Sequence, residues 1–237
     1  MTMSIAENIA AIRAQMNQAA IAAGRDPKKI LLCAATKMND AEAVRAAIAG
    51  GVDCCGENKV QELTAKLSEN AYEGAPVHFI GHLQTNKVKQ VVGKVDLIQS
   101  VDSLRLLEAI NKEAARQNIR QDILLEINIG REESKSGFYT EQIRAILEQM
   151  VKYPNIFVRG LMAIPPICQE PGENTKFFQE IFNLSVDIKQ KTYDNVSTDF
   201  LSMGMSDDFT DAIACGSNMI RIGTAIFGAR NYAKPHQ

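Results

Sequence analysis

Eight short apolar runs punctuate this chain, and between them apolar residues recur at every third or fourth position. The runs fall at residues 31–37, 52–55, 77–80, 96–100, 122–129, 156–164, 199–202 and 219–222. Leu31-Leu32-Cys33-Ala34-Ala35 has no polar face, as expected of a parallel strand covered on both sides. Ahead of the first run, Ser4 and Glu7 have capping-box spacing, Ile5, Ile9, Ile12 and Met16 keep helical spacing, and Gly24 can end the helix. Later helices are marked by Asp40 as a cap, by Val60, Leu63 and Leu67, by Val88, Val91 and Val92, and by Leu104, Leu107 and Ile110. A helix from Thr140 carries Ile143, Ile146, Leu147 and Met150, one over about 174–189 carries Phe177, Phe178, Ile181 and Phe182, and a short one lies near 209–214.

Strand and helix therefore alternate eight times after one leading helix. Alternation of this kind means parallel strands joined by right-handed crossovers. Eight units in 237 residues fit one closed (β/α)8 barrel, a TIM barrel, typically about 250 residues long. An open doubly wound sheet is the rival, but the first strand ends in Thr36-Lys37 where a dinucleotide fold carries a glycine-rich turn. With no composition shift or long linker, the expectation is one domain spanning 1–237.

Composition adds only exclusions. The net charge of −2 and the dispersed basic residues give no field for nucleic acid or an anionic membrane. No run approaches the roughly 20 apolar residues of a membrane span, and the amino terminus lacks signal-peptide features, so a soluble cytoplasmic protein is expected. The five cysteines, Cys33, Cys54, Cys55, Cys168 and Cys215, are odd in number and lack metal-ligand spacing. They read as reduced core fillers, with no metal site expected.

A barrel collects its strand ends on one rim, and three features meet there. Lys37 is an amine at the first strand end; it can form a Schiff base with a carbonyl, or simply end a strand and face solvent. Ser202-Met203-Gly204-Met205-Ser206 and Gly223-Thr224 follow the last two strands, where barrels often hold a phosphate on close-approaching backbone N–H groups. Arg221 is an always-charged group inside an apolar strand, costly unless it meets an acceptor. An aldehyde-binding lysine, a phosphate cup and an arginine suited to a ring nitrogen together describe pyridoxal phosphate. A cofactor-free lysine aldolase with a sugar phosphate in the cup uses the same parts.

The chain resembles the pyridoxal phosphate homeostasis protein family, relatives of the alanine racemase barrel. The matching blocks are Ala35-Thr36-Lys37, Gly56-Glu57-Asn58, His78-Phe79-Ile80-Gly81-His82-Leu83-Gln84, Ser134-Lys135-Ser136-Gly137, Arg159-Gly160-Leu161-Met162, Leu201-Ser202-Met203-Gly204-Met205-Ser206 and Arg221-Ile222-Gly223-Thr224. The resemblance implies the alanine racemase N-terminal type of barrel, the type III pyridoxal phosphate fold. It implies that Lys37 carries pyridoxal 5'-phosphate as an aldimine, with Asn58 near the ring, Arg221 at the pyridine nitrogen, and Ser202, Gly204, Gly223 and Thr224 on the phosphate.

An arginine there leaves the ring neutral and a poor electron sink. The racemase's second acid–base group, a tyrosine from an extra domain, has no counterpart before Gln237. A carrier that buffers the cofactor and hands it to apo-enzymes is therefore expected, as a monomer with no catalytic residues; an amino-acid racemase is the alternative. Lys135 is either a second amine for release or a solvated loop lysine. His82 lies by the ring or bonds backbone, and His78 reads as strand filler.

Overall fold

The computed structural model describes residues 3–167 and 170–228. Cys168, expected as a reduced core filler, lies outside them. Eight parallel strands close into a barrel in the order of the chain. They are β1 (Leu31–Ala35), β2 (Cys54–Glu57), β3 (Val77–Phe79), β4 (Leu97–Val101), β5 (Gln121–Ile127), β6 (Ile156–Ala163), β7 (Val196–Ser202) and β8 (Met219–Ile222). Closure comes from β1 pairing with β8, with Cys33 opposite Arg221 and Ala34 opposite Ile222.

The helices are α1 (Ile5–Ala22), α2 (Ala41–Ala49), α3 (Val60–Ser68), α4 (Leu104–Gln117), α5 (Ile143–Leu147), α6 (Thr175–Lys189), α7 (Phe209–Ala214) and α8 (Thr224–Phe227). Two expected helices differ. In the segment with Val88, Val91 and Val92, the helical part is a 3-10 turn over Thr85–Gln90 that holds Val88, is capped by Val91 and leaves Val92 in the turn beyond. The β-branched valines lower the propensity of the segment for a longer α-helix, and what remains is a short 3-10 piece. The helix from Thr140 is broken into a 3-10 turn at Thr140–Gln142, the five residues of α5, and another 3-10 turn at Met150–Lys152.

Strand residues alternate between two cores. Leu32, Ala34, Ile98, Ile123, Leu125, Ile220 and Ile222 face the helices. Cys33, Cys54, Leu97, Leu124, Met162 and Met219 form a separate cluster that fills the barrel. Each large side chain so buried contributes about 1.5–3 kcal/mol. At the lower end, the Arg159 guanidinium bonds Asp122 on β5 and Asp199 on β7, each at 2.7 Å, and ties three strands together.

α1 closes the seam between the first and last strands. Its capping box is formed, with Glu7 N–H donating to Ser4 Oγ at 3.2 Å and Ser4 N–H to the Glu7 carboxylate at 2.7 Å. Ile9, Ile12, Met16 and Ala20 are buried on its inner face, against α2, α7 and α8. Arg13 reaches Asp53 at 2.6 Å, and the same carboxylate oxygen accepts the Leu32 N–H at 2.6 Å. Asn8 donates to the Ile226 carbonyl at 2.9 Å, holding α8 in place. Among the described residues, no helix is long and apolar enough to cross a membrane.

Candidate functional site

β1 stops at Ala35, and the chain turns at once through Lys37 and Met38, whose φ is 61°. Lys37 is half-buried at this rim. What holds the turn is a charged network beneath it. Glu57 at the end of β2 is fully buried, and its Oε1 accepts from Lys66 Nζ, from Thr36 Oγ1 at 2.7 Å and from Tyr72 Oη at 3.1 Å. Lys66 also donates to the Thr36 carbonyl at 2.8 Å. From α3, Glu62 accepts the Met38 N–H at 2.6 Å. Lys37 is thus flanked by two residues pinned to α3. Burial, with the Glu57 charge added, raises the Tyr72 phenol well above its ordinary range, so Tyr72 stays a hydrogen-bond donor.

The next residue after Glu57 is Asn58. Its Oδ1 is buried, and among the described residues it has no hydrogen-bond partner. A buried amide oxygen left so costs about 1–3 kcal/mol, a cost that a donor group of a polar ligand would offset. Asn58's backbone is pressed against Gly81, where a Cβ would lie 2.2 Å from the Asn58 carbonyl oxygen. Only glycine at 81 permits this contact between the second and third rim turns.

Arg221 on β8 points into the barrel and is only 5% exposed. Its Nη1 donates to Ser202 Oγ at 2.6 Å, and its Nη2 to the Ala163 carbonyl at 3.0 Å. Ser202 Oγ in turn donates to Gln99 Oε1 at 2.6 Å. Gln99 Nε2 bonds His78 Nδ1 at 2.9 Å, which therefore accepts. Donors run in one direction from β8 through β7 and β4 to β3, so four buried polar side chains satisfy one another. The Ser202 hydroxyl is committed to this chain, with Arg221 and Gln99 as its partners. Burial lowers the Arg221 pKa, opposed by the charges of Cys33, Glu126 and Asp208.

Glu126 on β5 is half-buried, and burial with help from Asp102 pushes its carboxyl up to about 7, against the pull of Arg221. Cys33, opposite Arg221, has its thiol pulled down by a hydrogen bond from Cys54, against its burial, and Cys54 is pushed up in return.

The two glycine turns lie together at the last strand ends. Gly204 has φ of 97°, and a Cβ there would sit 2.6 Å from the Ala212 Cβ. Its carbonyl accepts the Arg221 N–H at 3.0 Å, joining the turn after β7 to β8. Asp208 fastens the same turn, accepting from Met205 N–H at 2.7 Å and from Asn174 Nδ2 at 2.8 Å. Gly223 is the N-cap of α8, a residue type with no side chain to cap it; the Ile226 N–H closes back on the Gly223 carbonyl at 2.9 Å, while the first two N–H groups, of Thr224 and Ala225, lie ahead of the helix's own bonding pattern. Thr224 is exposed beside them, and a Cβ on Gly223 would lie 3.4 Å from the Ala35 carbonyl oxygen. The β8 turn therefore borders the strand that ends in Lys37.

Lys135 pairs with Glu132 at 2.7 Å, in a loop organised by Asn128, whose Nδ2 donates to the Glu132 and Lys135 carbonyls at 2.9 and 3.1 Å. His82 lies largely exposed on the rim, and its Nδ1 faces Asp102 at 2.9 Å and Ser136 at 3.4 Å. Both neighbours share one ring nitrogen, which does not make a proton relay between them. Residues that pattern reading missed are Glu57, Lys66, Tyr72, Gln99 and Asp208. Glu57 stood inside a motif credited to Asn58, and the others carry no local signal.

An eight-stranded barrel with a rim lysine after its first strand and glycine turns after its last two defines a class. The family model for the alanine racemase N-terminal domain matches residues 3–231. The pyridoxal phosphate homeostasis protein of Aquifex aeolicus is 39% identical over 230 residues, covering 97% of this chain and 100% of that one. The solved structure of PipY from Synechococcus elongatus with PLP bound is 32% identical with a TM-score of 0.82, covering 95% of this chain and 100% of that one. An alanine racemase of Clostridium difficile shares the fold alone, at 15% identity and a TM-score of 0.72, covering 96% of this chain and 58% of the racemase. The chain belongs to the pyridoxal phosphate homeostasis protein family.

Proposed function

We propose that this protein binds pyridoxal 5'-phosphate and buffers and transfers it in the cell, with Lys37 as the covalent attachment point. The observation that carries the reading is Arg221: among the described residues, a buried guanidinium whose direct hydrogen bonds go to the neutral oxygens of Ser202 and Ala163, under a rim that has a lysine on one side and two glycine turns on the other. Asn58, whose buried oxygen has no partner among the described residues, fits a polar substituent of the cofactor ring. Gly204, Gly223 and Thr224 offer backbone and hydroxyl donors to the phosphate, and Ser202 acts by orienting Arg221.

Bound there, the cofactor supplies an electrophilic aldehyde and an electron-withdrawing ring. The residues of this chain restrain that chemistry. Arginine keeps its proton, so a ring nitrogen facing it stays unprotonated and withdraws electrons weakly. Tyr72, locked on Glu57, is a structural donor and does not act as a rim base. Binding without robust turnover follows, and apo-enzymes that require the cofactor are the expected acceptors. A cytoplasmic, monomeric protein folded as one domain suits that role. The test is the visible spectrum of purified protein after incubation with the cofactor: a yellow band in wild type that is lost in Lys37→Ala supports the reading, and equal spectra overturn it.

A further inference from the structure

Beneath the rim, two sulfurs and an imidazole converge inside the barrel. Cys33 and Cys54 are direct register partners on β1 and β2, and His78 follows on β3. Their relative exposures are 0%, 2% and 6%, and their ligand atoms all lie within 4.8 Å of one another. Among the described residues this is the one cluster of histidine, cysteine and carboxylate side chains so placed. The expected filler roles of Cys33, Cys54 and His78 leave that convergence unexplained. The sequence hides it because the three ligands come from three strands, with no local spacing to read.

We propose that Cys33, Cys54 and His78 form a binding site for a soft d10 cation, with copper(I) favoured over zinc(II). The argument is geometric. Metal–thiolate bonds of about 2.3 Å set ligand–ligand edges near 4.0 Å in a planar three-coordinate site and somewhat less in a tetrahedron. The cluster must therefore contract by less than about 1 Å, within the reach of small side-chain rotations on rigid strands. Two thiolates and an imidazole are ligands that soft cations prefer, and a dry three-ligand site suits copper(I), whereas zinc requires a fourth donor.

Coordination replaces both thiol protons and releases them to solvent; copper(I) with two thiolates carries one net negative charge, set beside Arg221 across the β1–β8 register. Gln99 already holds His78 Nδ1 at 2.9 Å. With metal on Nε2, the proton moves to Nδ1, and a half-turn of the Gln99 amide presents its oxygen as acceptor, the partner that metal-bound histidines require; Gln99 Nε2 then donates to Ser202 Oγ, reversing the bond that the hydroxyl makes to Gln99 in the metal-free protein.

The test uses the full chain, reduced and stripped with chelator, titrated with cadmium(II) as a spectroscopic probe and with copper(I) against a chromophoric competitor. One equivalent per chain is expected, with a thiolate-to-cadmium charge-transfer band, and copper(I) held more tightly than zinc(II). Cys33→Ala and Cys54→Ala should each lose the band, while Cys55→Ala and Cys215→Ala keep it. A band that survives in both Cys33→Ala and Cys54→Ala, or no stoichiometric binding in wild type, overturns the proposal. If circular dichroism shows either cysteine variant unfolded, His78→Gln decides: affinity at least tenfold weaker supports the site, and unchanged affinity overturns it.

Discussion

Lys66 donates to the Thr36 carbonyl at 2.8 Å while its ammonium is paired with Glu57, so one buried ion pair holds the residue that precedes Lys37. Removing one partner of such a pair strands the other charge in the interior, at a cost of about 3–5 kcal/mol. Lys66→Met should therefore lower the melting temperature by roughly 6–20 °C for a chain of this size. It should also weaken cofactor retention, because the Lys37 turn loses its anchor. Adding Glu57→Gln to Lys66→Met should recover part of the loss; thermal melts and cofactor titrations of the single and double variants check this.

Ser202→Ala removes the hinge of the Arg221–Gln99 chain. Arg221 Nη1 and Gln99 Oε1 both lose their partner, each a buried group worth about 1–3 kcal/mol when unsatisfied. The expected outcome is a clear drop in denaturant midpoint and a shifted visible band of the bound cofactor. An unshifted band in a destabilised protein would mean that Ser202 serves the fold alone.

Gly204→Ala places a methyl group at 2.6 Å from Ala212 on a backbone with φ of 97°. Overpacking of this kind costs about 1–3 kcal/mol, and the left-handed backbone adds to it. Affinity for the cofactor should fall more than affinity for pyridoxal lacking the phosphate. Parallel titrations with the two compounds separate loss of the phosphate cup from general loosening.

Glu126 carries a pH dependence of definite sign. Its carboxyl ionises near 4.5 in the unfolded chain and near 7 in the folded one, because burial disfavours the charge. The folded state holds the extra proton between those values, so the contribution is full below about 4.5 and lost as pH rises through about 7. Stability of wild type relative to Glu126→Gln should fall from pH 5 to pH 8. A flat difference across that range, measured by urea unfolding, would contradict the buried-carboxyl assignment.

The strands were legible because a parallel barrel strand is apolar on both faces, and the 219–222 run matched β8 residue for residue. The apolar run at 199–202 covers only part of β7, which begins at Val196; Ser197, Thr198 and Asp199 are polar and only partly buried or exposed, so the first half of the strand carries no apolar run. The leading helix was legible from one capping box and one apolar stripe. The rim lysine and the glycine turns were legible because strand ends carry sequence signals. The buried polar networks were not, because Glu57, Lys66 and Tyr72 look like surface residues until three elements bring them to one carboxylate. Gln99 and Asp208 were equally silent, each one polar residue whose partners lie on other strands or loops.

Borohydride reduction of the cofactor-loaded protein, followed by peptide mass analysis, tests the central claim most directly. One reduced pyridoxyl modification per chain on the peptide containing Lys37 is the predicted result. Modification at another lysine, Lys135 included, or none at all, would contradict it.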